Sequence, residues 1–107
     1  MKYLILIYRG PDDDGRTADT EHAALVRDLA GGGELIAAEA LADPAQTRRP
    51  PPAVTAGPVC DEPQLSAFYL VECETVDCAL AHAARVPESA VGRVEVRPVL
   101  GRGGLEM

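Results

Sequence analysis

The stretch "KYLILIYR", residues 2–9, decides the fold. In a strand, alternate side chains point to opposite faces. Tyr3, Ile5 and Ile7 then share one face, and Leu4, Leu6 and Tyr8 share the other. A strand apolar on both sides is buried on both sides. The run ends at "GPDDDG", which reads as a turn and a solvated acidic loop. The remaining chain must therefore supply cover for two faces of whatever sheet this strand joins.

Working outward, "TADTEHAALVRDLAGG" (17–32) reads as a helix, with Thr17 or Asp19 as its cap and Gly31 to Gly33 as its stop. His22, Leu25, Val26 and Leu29 follow the i, i+3, i+4, i+7 spacing of one helical face. "ELIAAEAL" (34–41) reads as a second strand. Residues 42–63 are irregular and hold six prolines, three of them consecutive at 50–52. Within them "AVT" (53–55) suggests a short edge strand and "AGP" (56–58) a turn. The pieces flanking this tract are each too small to fold alone, so it is an insert and not a linker.

"QLSAFYLVEC" (64–73) reads as the next strand. "TVDCALAHAARVP" (75–87) reads as a second helix, capped by Thr75, with Val76, Ala79, Leu80 and Ala83 as its apolar stripe. "GRVEVRPVL" (92–100) alternates Val94 and Val96 against Arg93, Glu95 and Arg97, a strand with one polar face. The expected layout is one domain over 1–100 and a loose tail over 101–107.

The order is βαββαβ, which predicts an α+β, ferredoxin-like protomer. Two helices cover one face of a four-stranded sheet. The first strand is apolar on both, so a second copy of the chain is expected on the open face. That predicts a homodimer with its two sheets packed face to face.

Composition narrows the function classes. The 107 residues carry a formal net charge of -7, which disfavours nucleic acid as a partner. The three cysteines, Cys60, Cys73 and Cys78, form no Cys-x-x-Cys pair, so neither a disulfide framework nor a zinc site is expected from spacing. The expected compartment is the cytoplasm. The apolar run at the N-terminus is too short for a signal core or a membrane span. There is no nucleophile elbow or dinucleotide fingerprint, and Gly31 to Gly33 close a helix without a following Lys-Ser/Thr. An enzyme of this sequence would work without a cofactor or metal.

"MKYLILIY", "GELIAAEAL", "AGPV…QLSAFYLVECETVDCALAHAARVP" and "VEVRPV", in that order, resemble the DGPF-domain branch of the YCII-related superfamily. The resemblance runs from residue 2 to about residue 99. It implies a ferredoxin-like protomer in a dimeric α/β barrel. Many members carry a histidine eleven residues before the glycine that ends the first helix, the separation of His22 and Gly33. The family histidine is proposed to act with an aspartate after the second strand, and the resemblance places that role on Asp43. The implied pair is a His22–Asp43 dyad, in which the carboxylate sets the imidazole tautomer and raises its basicity. The sequence departs from the family at its naming motif, Asp-Gly-Pro-Phe, which here reads Ala56-Gly57-Pro58-Val59. His82 stands where the family often has an aromatic residue.

Each candidate also has a plain reading. His22 is either a site residue or a half-buried ring bonded to backbone. Asp43 precedes Pro44, a common turn opening. Glu39 and Glu72 fall on apolar strand faces, where a carboxylate must be paired, protonated or in water. They are pocket residues, or partners of Arg93 or Arg97. Arg97 either anchors an anionic substrate or makes a structural salt bridge. Tyr8 and Arg9 end the first strand, a common place for substrate-binding residues; Tyr8 also suits the core. Cys60 has no nearby base, and His82 lies outside the helical stripe and reads as solvated.

Two functions follow. One is a small cofactor-independent enzyme with His22 as general acid/base, catalysing isomerisation, elimination or cyclisation of a small aromatic or enolisable molecule. The other is a non-catalytic binding or regulatory module; DGPF-type proteins often accompany extracytoplasmic-function sigma factors, and the resemblance makes such a partner conceivable.

Overall fold

The computed structural model describes residues 1–10, 18–53, 55–60 and 62–100, with the side chains of residues 18 and 19 excepted. Four strands and two helices alternate: β1 (Lys2–Arg9), α1 (Ala18–Gly31), β2 (Leu35–Ala40), β3 (Gln64–Glu72), α2 (Val76–Ala83) and β4 (Val94–Pro98). Short 3-10 turns lie at Pro44–Gln46 and Pro87–Val91. The sheet order is β2-β3-β1-β4 and every neighbouring pair is antiparallel. This is the α+β, ferredoxin-like arrangement that the βαββαβ order predicts.

β1 sits at the centre, between β3 and β4, because it is the strand with two apolar faces. Its Tyr3, Ile5 and Ile7 are buried with Tyr69 and Val71 of β3. The helices lie over this face. Leu25 and Leu29 of α1, Ala79 and Ala83 of α2, and Val86 complete the core. Ile5 and Ile7 are fully shielded from solvent, and each such side chain contributes roughly 1.5–3 kcal/mol. Val94 and Val96 of β4 pack against the same cluster, as their alternation predicts.

The other face of the sheet carries two cross-strand rows. One runs Ala37, Leu70, Leu4, Arg97; the next runs Glu39, Phe68, Leu6, Glu95. Leu4, Leu6, Phe68 and Leu70 form its apolar centre and are only half-buried in the single chain. In these two rows the charges, Glu39, Glu95 and Arg97, stand on the outer strands.

α1 ends as expected. Gly33 takes φ +79°, and the Glu34 N–H donates to the Leu29 carbonyl at 3.2 Å, closing the last turn. Asp19 falls inside the helix, while Thr17 lies outside the described residues. Thr75 caps α2, its hydroxyl accepting from the Cys78 N–H at 3.2 Å.

Three expectations are corrected. α2 stops at Ala83 instead of running to 87. Pro87 excludes the helical conformation from the residue before it, and Val86 is extended at φ -71°, ψ 129°. Val76 and Leu80 are exposed, so the buried face of α2 is Ala79 and Ala83, extended by Val86. At 53 and 55 no strand is present; Val54 lies outside the described residues. The "AGP" turn is present, with Gly57 at φ +95° and its N–H donating to Thr47.

Candidate active site

α1 lays its apolar stripe on the sheet, and His22 is the first member of that stripe. Leu25 and Leu29 anchor the helix, and this brings the imidazole down onto β3. Tyr69 alternates with Phe68 and Leu70, so it faces the helices. The His22 Nδ1 and the Tyr69 hydroxyl form a hydrogen bond, with the two rings edge to face. The other ring nitrogen, Nε2, lies 2.7 Å from Oε1 of Glu88.

Glu88 arrives from the turn after α2. Pro87 ends the helical path and opens the 3-10 turn, and the next residue points back under α1. Gly92 closes the turn in the left-handed conformation at φ +72°, which releases the chain into β4. Glu88 is the only buried charged side chain among the described residues, at 8% exposure. Such a carboxylate requires partners. Among the described residues it has two: His22 on Oε1, and Arg9 on Oε2, through Nε and Nη2, each at 3.1 Å. Arg9 is the last residue of β1, so the end of the central strand aims it here.

The chain of contacts is Arg9, Glu88, His22, Tyr69. Its direction follows from donor and acceptor capacities. A carboxylate only accepts, so Nε2 of His22 carries the hydrogen. In the neutral imidazole Nδ1 is then an acceptor, and the Tyr69 O–H donates to it. The phenol is suited to hold that proton: burial, and then the negative charge of Glu88, push its pKa up to about 12.

A cavity of about 490 Å³ opens beside this chain. Arg9, His22, Tyr69 and Ser66 give it a polar end; Ala23, Val26, Ala38, Ala40, Leu41 and Ala67 form small apolar walls. An adjoining cavity of about 330 Å³ shares Arg9, Leu41 and Ser66 and is also lined by Asp43, Glu62 and Gln64. The arrangement offers one ligand an imidazole–phenol pair, a guanidinium and small apolar walls.

The expected residues separate into groups. His22 and Arg9 meet at the cavity. The expected His22–Asp43 pair is not formed, and the carboxylate on the imidazole belongs to Glu88. Asp43 is held by its own turn, its Oδ1 accepting from the Ala45 N–H at 2.8 Å before Pro44. Glu39 and Arg97 stand on the other face of the sheet. Tyr8 donates to Glu95 at 3.2 Å, and its pKa is raised by burial and then by that contact. Glu72 pairs with the terminal ammonium of Met1 at 2.5 Å. The sheet thus lies between these four residues and the imidazole.

Glu88 and Tyr69 are absent from the sequence-based candidates. Tyr69 had a signal in its alternation with Phe68 and Leu70, which puts it on the helix side with His22. Glu88 had almost none, because an acid just after a proline is ordinary at a turn. A second group of ligating side chains, Glu34, Cys73, Cys78 and His82, gathers elsewhere in the fold. His82 is not solvated as expected: its Nε2 is 2.8 Å from Oε2 of Glu34, and its side chain is 16% exposed.

No curated protein sequence matches this chain. Among solved structures it is similar to the 5-chloro-2-hydroxyhydroquinone dehydrochlorinase TftG from Burkholderia phenoliruptrix AC1100, determined in complex with 2,5-dihydroxybenzoquinone. The two share 14% identity at a TM-score of 0.56, over 92% of this chain and 93% of that one, which is a likeness of fold. The sequence model of the YCII-related domain matches residues 1–101. The chain belongs to the YCII-related family.

Proposed function

We propose that the chain is a cofactor-independent enzyme that moves a proton on a small aromatic or enolisable molecule. The observation that carries this reading is the imidazole of His22 held at both nitrogens, by Glu88 and by Tyr69, on the wall of a cavity. Its volume falls within the ~300–1,000 Å³ of small-molecule sites. The apolar walls suit one flat ring. The dehydrochlorinase of the same fold was determined with a hydroxyquinone, and a ring of that class is the substrate type proposed for this cavity.

In this reading, the substrate proton is taken up by the His22–Tyr69 pair. A proton arriving on Nδ1 makes an imidazolium, which the Glu88 carboxylate stabilises through Nε2. Arg9 holds Glu88 in place and presents a positive charge at the polar end, where an oxyanion would develop. Tyr69 returns the proton, completing an isomerisation, elimination or cyclisation. Asp43 lines the annex and meets a substituent on the ring. The protomer works as a homodimer, the half-buried Leu4, Leu6, Phe68 and Leu70 of one sheet packing on those of a second copy.

The test is a thermal-shift and NMR panel of hydroxyquinones, phenols, lactones and carboxylates on wild type and His22→Gln. A ligand that raises the melting temperature and shifts the His22 ring signals of the wild type, with the thermal shift lost in His22→Gln, supports the reading. A panel in which no compound moves His22, while His22→Gln only lowers the melting temperature, overturns it. A binding or regulatory module with a protein partner is then the better description.

A further inference from the structure

We propose that Glu34, Cys73, Cys78 and His82 form a tetrahedral binding site for a zinc-class divalent metal ion, at the end of the sheet opposite His22. The site is independent of the proposed reaction. β1 pairs Lys2 with Glu72 at one end and Arg9 with Gln64 at the other. By strand rise these ends are about 23 Å apart. Cys73 follows Glu72, and Arg9 belongs to the other site.

Each ligand is placed by its element. Cys78 and His82 are four residues apart on α2, so they project from one face of the helix. Glu34 precedes β2 and Cys73 follows β3. These two strand ends are joined by a hydrogen bond from the Glu72 N–H to the Glu34 carbonyl at 2.8 Å. The helix supplies one pair of ligands and the sheet the other. This is why no Cys-x-x-Cys spacing announces the site.

All four ligand atoms lie within 4.8 Å of one another. Bond lengths of 2.3 Å to sulfur and 2.0–2.2 Å to nitrogen and oxygen give tetrahedral edges of about 3.4–3.8 Å. Two edges already match: Cys78 Sγ to Glu34 Oε2 at 3.6 Å and Cys78 Sγ to His82 Nε2 at 3.7 Å. Cys73 Sγ to Glu34 Oε2, at 4.0 Å, must close slightly. His82 Nε2 to Glu34 Oε2, at 2.8 Å, must open by about half an ångström as a shared hydrogen bond gives way to two metal bonds. Glu34 is 34% exposed and His82 16%, so both can make these shifts and an ion can enter between them. Cys73 is buried in the core and anchors the set.

Two thiolates, an imidazole and a carboxylate favour zinc over magnesium or calcium, which take oxygen ligands. Binding forms two metal–sulfur bonds and releases one proton from each thiol. Four protein ligands close the coordination shell. A closed shell makes this a structural clamp tying α2 to the ends of β2 and β3.

The experiment is a titration of the reduced, metal-free full chain with Co²⁺, followed by displacement with Zn²⁺. The expected result is one equivalent bound, with thiolate-to-cobalt charge transfer and the intense visible bands of a tetrahedral ion. Zn²⁺ should raise the melting temperature of the wild type. Cys78→Ser and His82→Ala should each weaken binding at least tenfold, with circular dichroism confirming their fold. Cys60→Ser and His22→Gln should bind as the wild type does. Absent charge-transfer bands, binding abolished by Cys60→Ser, or binding unchanged in both Cys78→Ser and His82→Ala would each overturn the assignment. So would a reduced protein that forms a Cys73–Cys78 disulfide in air yet takes up no metal.

Discussion

Glu88→Gln tests the contact that organises the site. Glutamine has nearly the shape of glutamate but one acceptor oxygen and one donor NH2 where the carboxylate has two acceptors. In the native site Oε1 faces His22 Nε2 and Oε2 faces Arg9. Arg9 can only donate, so the amide oxygen must turn toward it. The NH2 group then points at Nε2, which has to become an acceptor. The hydrogen moves to Nδ1, and Nδ1 now donates to Tyr69 instead of accepting from it. One substitution therefore inverts the whole relay.

The cost follows from the bonds exchanged. A hydrogen bond to a charged group contributes about 1.5–3 kcal/mol and a neutral one about 0.5–1.5. The His22 contact changes class, and Arg9 keeps a charged hydrogen bond but loses the negative charge opposite it. The Arg9 side chain is 30% exposed, so its share is screened by solvent. The expected loss is about 1.5 kcal/mol, a fall in Tm of roughly 7 °C for a chain of this size. Urea unfolding gives the first figure, and ¹⁵N shifts of the His22 ring read the tautomer directly. Turnover of any substrate found by the ligand panel should fall with the inversion. If Nε2 remains the protonated nitrogen in Glu88→Gln and stability is unchanged, Glu88 does not set the imidazole, and the proton-transfer reading loses its basis.

Tyr69 makes a pH prediction. Its pKa is about 12 in the folded chain against an ordinary value of 10.0. Between those values the unfolded chain has released the phenol proton and the folded chain retains it. Stability must therefore fall as pH rises from 10 to 12, by about 2–3 kcal/mol over the interval. Tyr69→Phe should lack this component, as measured by the difference between the two proteins' denaturation curves; parallel curves refute it. Leu6→Glu places a charge in the apolar centre of the open sheet face. It should convert the proposed dimer to monomer by light scattering with the circular dichroism spectrum retained, and a monomeric wild type would remove the dimer. Thr75→Ala deletes the cap of α2 and should cost about 1 kcal/mol, read as a lower urea midpoint at unchanged m; a wild-type midpoint would show the Thr75–Cys78 contact to be without weight.

The readable parts of this protein were those written in local periodicity. The alternation in 2–9, the helical stripe through His22, the cap at Thr75 and the valine pattern of 92–100 each describe one element and its buried side. Together they imply the βαββαβ order and the ferredoxin-like sheet, because few arrangements bury two helices on four such strands. His22 and Arg9 were legible as candidates because each sits at a position its own element makes conspicuous. The carboxylate was not. Asp43 and Glu88 are both acids beside a proline in a turn, and nothing local separates them. What separates them is where α2 ends: Pro87 stops it one turn earlier than its apolar residues suggest, and the next turn swings Glu88 beneath α1. The same holds for His82 and Glu34, which are 48 residues apart and meet only because the end of α2 lies over the start of β2. Periodicity reports the face on which a residue lies. Which faces and ends meet depends on the packing of distant elements, and in this chain that packing chose the partner of the histidine.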